Sequence, residues 1–343
     1  MTINWAERAN QGQKSLTYFY ASTNPTQLLN NVYPFEDDQE NAVFNYWWLA
    51  HTVDVKVDAY LRTGNQLDLA EAEAVYDYNK TRNHGSLIHD YYDDMLWNAL
   101  AALRLYTLTA KAVYLEDALT VWQDHVDTGW NEICGGGFAW RKPQMDYKNT
   151  PVNAPFIILS NRLYRILGER KYLDWSYKTF DWLTNVLVRE DGFVEDGINR
   201  QGDGQIDHQW QFTYNQGVYI GACLAFYEIT KDYQYVRLAN QNAQTTIKLL
   251  SDGKIFKEEG EGGDEGLFKG IFYRYFADLA AITHDQSQQQ FIEAGAEILV
   301  TNGLKDQHLL MGMDWYHPTV GKIPFSAQLS GIMILEMMAK LTK

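Results

Sequence analysis

The stretch Met95–Asp127 decides the fold, and it reads MLWNALAALRLYTLTA and then KAVYLEDALTVWQDHVD. Its first half repeats apolar residues at helical spacing, as at Leu96 and Leu100, and is apolar on nearly every other side as well. Such a pattern predicts a helix that is buried all round. The second half places Leu115 and Leu119 on one side and acids and amides on the other, which predicts an amphipathic helix of an outer layer.

This pair of segments recurs along the chain. A tyrosine lies near the end of the apolar segment at Tyr60, Tyr106, Tyr164 and Tyr227, and an apolar residue follows each of them nine positions later. The repeat unit is therefore an apolar segment, a short connector and a more polar segment, which is typical of a helical hairpin.

Six segments of each class alternate along the sequence. The apolar segments lie near residues 42–62, 94–110, 152–168, 213–230, 267–283 and 326–341, and the amphipathic segments lie near residues 4–20, 67–83, 114–128, 172–189, 234–251 and 287–301. No strand-like alternation of useful length competes with them. The pattern predicts an all-α fold, an (α/α)6 barrel of six hairpins. Because such a ring closes only as one unit, we expect a single catalytic domain over residues 1–343.

The connectors on the two sides of the apolar segments differ greatly in length. Those that follow an apolar segment are short, whereas those that lead into one are long and rich in Gly, Asp, Trp and Tyr. We call the latter the leading loops, and they include residues 129–151, 190–212, 252–266 and 302–325. Since the inner helices of such a barrel run in one direction, these loops gather at one end. Function is expected there, on loops that a rigid scaffold positions.

Composition excludes several classes of protein. Apolar residues make up 46% of the 343 residues and charged residues 21%, which is ordinary for a globular chain. A net charge of −15 argues against nucleic acid as a partner.

The cysteines and the apolar runs bear on the compartment. Cys134 and Cys223 are too few for a disulfide framework and are expected to be reduced. We see no apolar run of the roughly 18 residues that a membrane span needs and no secretion signal, so we expect a cytoplasmic protein without a membrane partner. The oligomeric state stays open.

Asp93 and Asp94 form the most informative acidic pair. Glycoside hydrolysis needs two carboxyl groups, about 5 to 5.5 Å apart for retention or about 6.5 to 9.5 Å for inversion. Consecutive helical residues diverge by about 100°, so both can reach one ligand only at a helix terminus, where this pair is predicted. Adjacent like charges raise the pKa of one group and leave the other ionised, as an acid and a nucleophile require. The alternative is a pair of ordinary first-turn acids that the helix dipole favours.

Aromatic residues make up 14% of the chain, and many of them fall in or beside the leading loops, Trp210 among them. Flat rings that stack on C–H faces, together with carboxylates and amides that bind hydroxyls, favour a sugar ligand. The candidate substrate-binding residues are Trp47, Trp97, Asn98, Trp140, Tyr147, Lys148, Asn149, Tyr214, Asn215, Gln216, Asp264 and Lys269. Core packing explains Trp47 equally well, and a salt bridge explains Lys269 equally well.

Three other sequence patterns were considered as metal or phosphate sites, and none predicts one strongly. Asp203-Gly204 with Asp207 resembles the start of a calcium loop but lacks the later acids and the final Glu, so calcium is only a minor alternative. The glycines at 135–137 are not followed by the Lys-Ser/Thr of a phosphate loop and predict a turn. The eight histidines show no zinc-binding spacing. We expect neither a metal nor a cofactor.

The motifs together resemble glycoside hydrolase family 76 over roughly residues 40–280. They are Tyr92-Asp93-Asp94-Met95-Leu96-Trp97, Gly136-Gly137 with Trp140, Tyr147-Lys148-Asn149 followed by Asn153, Thr213-Tyr214-Asn215-Gln216-Gly217, and Phe268-Lys269-Gly270-Ile271-Phe272 with Arg274-Tyr275. The resemblance implies an (α/α)6 barrel and a retaining α-1,6-mannanase, with Asp93 as nucleophile and Asp94 as general acid/base. Members of that family commonly meet a polymeric mannan outside the cell. Because we see no export signal in this chain, an imported manno-oligosaccharide is an alternative substrate to the polymer.

Two other functions stay open at this point. A sugar epimerase or isomerase on the same barrel would use histidine bases, and His208 and His317 lie in leading loops. A carbohydrate-binding protein without catalytic activity would use the same rings and amides.

Overall fold

The computed structural model of the chain describes residues 3–260 and 262–343. Within these ranges, twelve α-helices follow one another with short hairpin turns and long loops in alternation. The helices are α1 Trp5–Tyr20, α2 Tyr46–Thr63, α3 Gln66–Arg82, α4 Tyr92–Thr109, α5 Ala112–Asp124, α6 Thr150–Leu167, α7 Arg170–Val186, α8 Thr213–Thr230, α9 Gln234–Leu250, α10 Phe268–Thr283, α11 Gln286–Gly303 and α12 Phe325–Leu341. Each predicted segment corresponds to one of them.

The chain divides into two compact units. One comprises Met1–Asn79 and Leu250–Lys343, and the other comprises Lys80–Leu249. In the first unit α12 packs against α1, α2, α10 and α11, and in the second α6 packs against α4, α7 and α8. The single domain expected over residues 1–343 stays a prediction.

The two classes of helix differ in burial as their patterns predict. In α8 nearly every residue up to Phe226 is buried, whereas α9 buries a stripe at three- and four-residue spacing, from Tyr235 and Val236 to Thr246. A helix with one apolar side needs only that side covered, so α9 leaves its polar side in water. The prediction of buried and one-sided helices in alternation is confirmed.

The repeated tyrosines mark the ends of four buried helices. The carbonyl oxygens of Tyr60, Tyr106, Tyr164 and Tyr227 each accept a hydrogen bond from the main-chain N–H four residues later, at 2.7 to 2.9 Å. The donor residue adopts the left-handed conformation in all four turns. Such a cap ends a helix abruptly, which is why the hairpin connectors are so short.

The leading loops contain short strands, although the sequence shows no strand-like alternation of useful length. The strands in the described ranges are β1 Val32–Tyr33, β2 Ala139–Arg141, β3 Gln144–Asn149, β4 Gly197–Ile198, β5 Leu304–Lys305, β6 His308–Leu309 and β7 Ile323–Pro324. They pair antiparallel as β2-β3-β4, β1-β7 and β5-β6. Most span only two or three residues, too few to produce an alternating pattern in the sequence.

Short 3-10 and π-helical turns account for the remaining differences at helix ends. The first buried helix was predicted near 42–62, but a 3-10 turn at Asp38–Asn41 precedes it and α2 begins only at Tyr46. Beyond α5, His125–Gly129 form a single π-helical turn. Further 3-10 turns lie at Ile133–Gly135 and Asp264–Leu267. Among the described helices, none is long and apolar enough to cross a membrane.

Candidate active site

Asp93 and Asp94 lie in the first turn of α4, where the sequence predicted them. The Oδ1 atom of Asp93 accepts a hydrogen bond from the main-chain N–H of Asp94 at 3.0 Å. Its Oδ2 atom accepts one from the indole Nε1 of Trp140 at 3.1 Å. Because both oxygens act as acceptors, the ionised carboxylate fits this environment best.

Asp94 has different neighbours. Its Oδ2 atom lies 3.8 Å from Nδ1 of His89, and its main-chain carbonyl oxygen accepts a hydrogen bond from Nδ2 of Asn98 at 2.9 Å. His89 Nδ1 itself accepts a hydrogen bond from the main-chain N–H of Tyr91 at 3.3 Å, and burial lowers the pKa of this imidazole. The two carboxylates are therefore adjacent in sequence but unlike in environment, as two different roles require.

A strand of a leading loop holds Trp140 beside α4. Tyr91, which directly precedes α4, forms a β-bridge with Arg141 of β2. The ring centre of Tyr91 is 5.2 Å from that of Trp140, in an edge-to-face arrangement, and the Arg141 guanidinium lies 4.8 Å from the centre of the Trp140 ring. These contacts fix the indole N–H that reaches Asp93.

The ring of His125 contacts the main chain at the start of α4. The π-helical turn carries its ring between two carbonyl oxygens, with Nδ1 2.7 Å from that of Val121 and Nε2 3.0 Å from that of Tyr92. The ring is completely enclosed, and burial lowers its pKa to about 4. Single π-helical turns of this kind are frequent at functional sites.

Lys148 supports the glycine-rich turn that precedes β2. Its Nζ atom is fully buried and donates a hydrogen bond to the carbonyl oxygen of Gly137 at 2.8 Å, and burial lowers its pKa to about 8. Asn153 accepts from the N–H of Phe138 at 2.9 Å and donates to its carbonyl oxygen at 3.1 Å. The predicted turn forms, and Lys148 holds its backbone. The substrate contact expected of Lys148 stays a prediction.

A buried carboxylate gathers three of the predicted residues. Asp196 is 2% exposed and accepts hydrogen bonds from Tyr147 Oη at 2.7 Å, Asn215 Nδ2 at 2.8 Å and Tyr214 Oη at 3.4 Å. Burial raises the pKa of Asp196, while these donors and the nearby Arg200 act in the opposite direction. Burial and the adjacent Asp196 raise the pKa of Tyr147 as well. Asp196 lies in the leading loop of residues 190–212 and was not among the predicted site residues.

Three other predicted residues are buried in the same unit. Trp97 is 4% exposed and offers little ring surface for stacking, and the amide of Asn149 is also buried. Gln216 is buried because its amide bonds both the N–H of Val194, at 2.9 Å, and the carbonyl oxygen of Val194, at 2.6 Å. These contacts satisfy the backbone of a leading loop, and the predicted role of Gln216 in substrate binding stays a prediction.

The remaining predicted residues lie in the other compact unit. The indole Nε1 atoms of Trp47 and Trp48 both donate to Oδ1 of Asp264, at 2.9 and 2.8 Å. Lys269 is buried and donates to the carbonyl oxygen of Met313 at 2.8 Å. Burial lowers the pKa of Lys269.

The two histidines of the epimerase alternative are exposed and pair with carboxylates. His208 Nδ1 lies 2.8 Å from Glu195 Oε1, and His317 Nδ1 lies 2.6 Å from Asp314 Oδ2. Glu195 is buried, and sequence reasoning did not single it out. Its position next to Asp196 in a leading loop was the only available signal.

The loop that carries the minor calcium alternative is held by an ion pair. Asp207 Oδ2 lies 2.6 Å from Arg200 Nε, and Asp203 Oδ1 accepts a hydrogen bond from the N–H of Gln205 at 3.0 Å. Among residues 3–260 and 262–343, no cluster of three or more His, Cys, Asp or Glu side chains is arranged to hold a metal ion. Arg200 was not predicted as a site residue.

Two dissimilar carboxylates beside aromatic and amide groups, on an alternating all-helical scaffold, define a site of the glycoside hydrolase type. The profile of glycosyl hydrolase family 76 matches residues 4–342, and the chain belongs to this family. The resemblance stated from the sequence is thereby confirmed.

Solved structures agree with this assignment. The Lin0763 protein from Listeria innocua is 61% identical, with a TM-score of 0.98 over 99% of this chain and 98% of that one. The α-1,6-mannanase GH76A from Salegentibacter sp. is 35% identical, with a TM-score of 0.88 over 98% of this chain and 100% of that one. An inactive variant of that enzyme, with two consecutive aspartates changed to asparagine, is solved in complex with α-1,6-mannotriose. The predicted (α/α)6 fold is confirmed by this likeness.

A more distant relative is the mannan endo-1,6-α-mannosidase of Candida glabrata. It is 24% identical over 202 residues, which are 54% of this chain and 45% of that protein. The chain thus spans about half the length of the curated relatives that it matches first.

Proposed function

We propose that the chain hydrolyses α-1,6-linked mannosides with retention of anomeric configuration. The observation that carries this proposal is that the two carboxylates at the start of α4 have different neighbours. Asp93 accepts hydrogen bonds at both oxygens, which favours the ionised nucleophile, whereas Asp94 lies beside the imidazole of His89. The inactive mannanase variant with two changed aspartates supports the assignment by analogy.

The proposed reaction proceeds in two displacements. In the first, a carboxylate oxygen of Asp93 forms a bond to the anomeric carbon while the bond to the leaving oxygen breaks, and the Asp94 carboxyl gives its proton to that oxygen. In the second, Asp94 takes a proton from water as the water attacks the anomeric carbon and releases Asp93. The enzyme returns to its starting protonation state.

Other groups would hold the sugar. Trp140 would keep the Asp93 carboxylate in position. Beside the buried Asp196 and Asn215, the partly exposed Tyr214 carries a hydroxyl suited to a sugar hydroxyl. The substrate-binding roles expected from the sequence for Trp47 and Asp264, which are hydrogen-bonded to each other, stay predictions. The proposed substrate is an α-1,6-manno-oligosaccharide, and the cytoplasmic location expected from the sequence stays a prediction.

Two substitutions with azide rescue test these roles. Asp93→Ala and Asp94→Ala should each lose nearly all turnover of an activated aryl α-mannoside, while the exposed Asp181→Ala of α7 keeps it. With azide, the nucleophile variant should form β-mannosyl azide, since azide attacks directly. The acid/base variant should form α-mannosyl azide by way of the covalent intermediate. Full activity in either variant, or the reverse pattern of azides, would contradict the assignment.

The alternatives give different results in the same assays. An epimerase would lose activity in His208→Ala and keep it in Asp93→Ala. A non-catalytic binding protein would bind mannotriose without releasing reducing ends. Membership of family 76 favours hydrolysis over both alternatives.

A further inference from the structure

A row of aromatic rings leads from the buried Asp196 to the surface. Trp210 and Phe212 lie in the segment that directly precedes α8, and Tyr214 lies in the first turn of that helix. The ring centres are 5.8 Å apart between Trp210 and Phe212, and 6.1 Å apart between Phe212 and Tyr214. At the inner end, Tyr214 Oη lies 3.4 Å from Asp196 Oδ1. The row therefore begins at the candidate site.

The inner end of the row is connected to the acid pair by direct contacts. Asp196 bonds Tyr147 at 2.7 Å, and the ring centre of Tyr147 is 5.7 Å from that of Trp140. Trp140 in turn donates to Asp93 at 3.1 Å. These contacts place the row beside the proposed centre of the reaction, within the same compact unit.

The outer end of the row is an exposed indole on a charged support. Trp210 is 36% exposed, and the guanidinium carbon of Arg200 lies 3.6 Å from its ring centre. The ion pair with Asp207 holds that guanidinium. A cation against one face of an indole is an attractive contact, which helps to fix the partly exposed ring.

Further hydrogen bonds and an ion pair order the leading loop of residues 190–212, which carries Trp210. Asn199 Oδ1 accepts from the N–H of Gly204 at 2.7 Å, and Asn199 Nδ2 donates to the carbonyl oxygen of Asp146 at 2.9 Å. His208 pairs with the buried Glu195 at 2.8 Å. A loop that is already ordered loses little entropy when a ligand arrives.

We infer that Trp210 is a stacking platform for a mannosyl residue of the substrate that lies remote from the cleaved bond. The C–H face of a hexose ring packs well on an accessible indole. Trp97 and Tyr147, which are among the candidates from the sequence, expose only 4% and 2% of their surface and offer little ring for stacking. The inference rests on the proposed function and adds a determinant of chain-length preference to it.

The test compares kcat/KM for α-1,6-mannobiose, mannotetraose and mannohexaose in the parent chain and in Trp210→Ala. The ratio of kcat/KM for the hexaose to that for the biose should fall about tenfold, equivalent to about 1.4 kcal/mol. Trp210→Phe, which keeps a flat ring, should recover most of the ratio. Tyr233→Ala removes another exposed aromatic side chain, 50% exposed and outside the leading loops, and should leave the ratio unchanged.

The outcomes separate this inference from the proposed function. If the parent hydrolyses all three substrates and Trp210→Ala has the parental ratio, the platform is wrong and the proposed function stands. If the parent cleaves none of them, the proposed function fails and the platform fails with it. Trp210→Leu, apolar but without a ring, gives the same comparison if the alanine variant does not fold.

Discussion

Replacing the buried Lys148 with Met should change the pH dependence of folding more than the stability at neutral pH. In the folded chain, burial lowers the pKa of Lys148 from 10.5 to about 8. Between these two values, the unfolded chain holds a proton that the folded chain has released. The free energy of unfolding therefore rises with pH across this window.

The magnitude follows from the two pKa values. Below pH 8, Lys148 is charged in both states, and burial of that charge costs the folded chain about 3 kcal/mol relative to the neutral amine. Methionine removes this cost but leaves the carbonyl oxygen of Gly137 without its hydrogen bond, a loss of about 1 to 3 kcal/mol. The two effects nearly cancel at pH 7. From pH 7 to pH 10 the parent should gain about 2.5 kcal/mol over Lys148→Met.

Urea unfolding followed by far-UV circular dichroism at a series of pH values measures this difference. The titration of all other groups is common to both chains, so it cancels in the comparison. Lys14→Met serves as the control, because Lys14 is exposed on α1 and its replacement should leave the pH profile parallel to that of the parent. Parallel profiles for the parent and Lys148→Met would refute the argument that Lys148 is buried with a lowered pKa.

Three further changes test contacts around the acid pair. Trp140→Phe removes the N–H bonded to Asp93 and should lower kcat by up to about 100-fold with little change in KM, and an unchanged kcat would argue against positioning by Trp140. His125 has a pKa of about 4 when folded, so its contribution to stability, up to about 3 kcal/mol, is lost as the pH falls from 6.5 towards 4. His125→Gln should flatten that part of the Tm profile, and a slope like that of the parent would contradict it. Gly137→Ala puts a Cβ 2.7 Å from the Trp182 ring at a φ of +87°, so its Tm should fall clearly in thermal scans, and an unchanged Tm would count against this crowding.

The fold was predictable because its signals are local. A helical period appears within about 18 residues. The hairpin repeat was visible in the tyrosines, and their carbonyl oxygens accept the N–H of the left-handed cap, as at Tyr106 and Ala110. Local geometry of this kind does not depend on distant partners. For the same reason the helix bounds were predicted within a few residues.

The acid pair was predictable, but its environment was not. Asp93 and Asp94 are adjacent, so their position in a first turn follows from the start of one helix. The donor to Asp93, in contrast, is 47 residues away and reaches it through β2, a strand of three residues. A pairing between two loop segments leaves no periodic trace in the sequence. The Trp140 donor to Asp93 therefore had to come from the structure.

Polar side chains of the leading loops also serve the backbone of those loops. A long loop without regular structure leaves main-chain N–H and carbonyl groups that must be satisfied where the loop is buried. Lys148 does this for Gly137 and Gln216 does it for Val194, so both are conspicuous in sequence yet directed at the backbone. An exposed side chain such as Trp210 satisfies no backbone group, and its position against Arg200 needs another explanation. Among candidates drawn from loop composition, exposure combined with fixed geometry is thus a better guide to ligand contact than residue type.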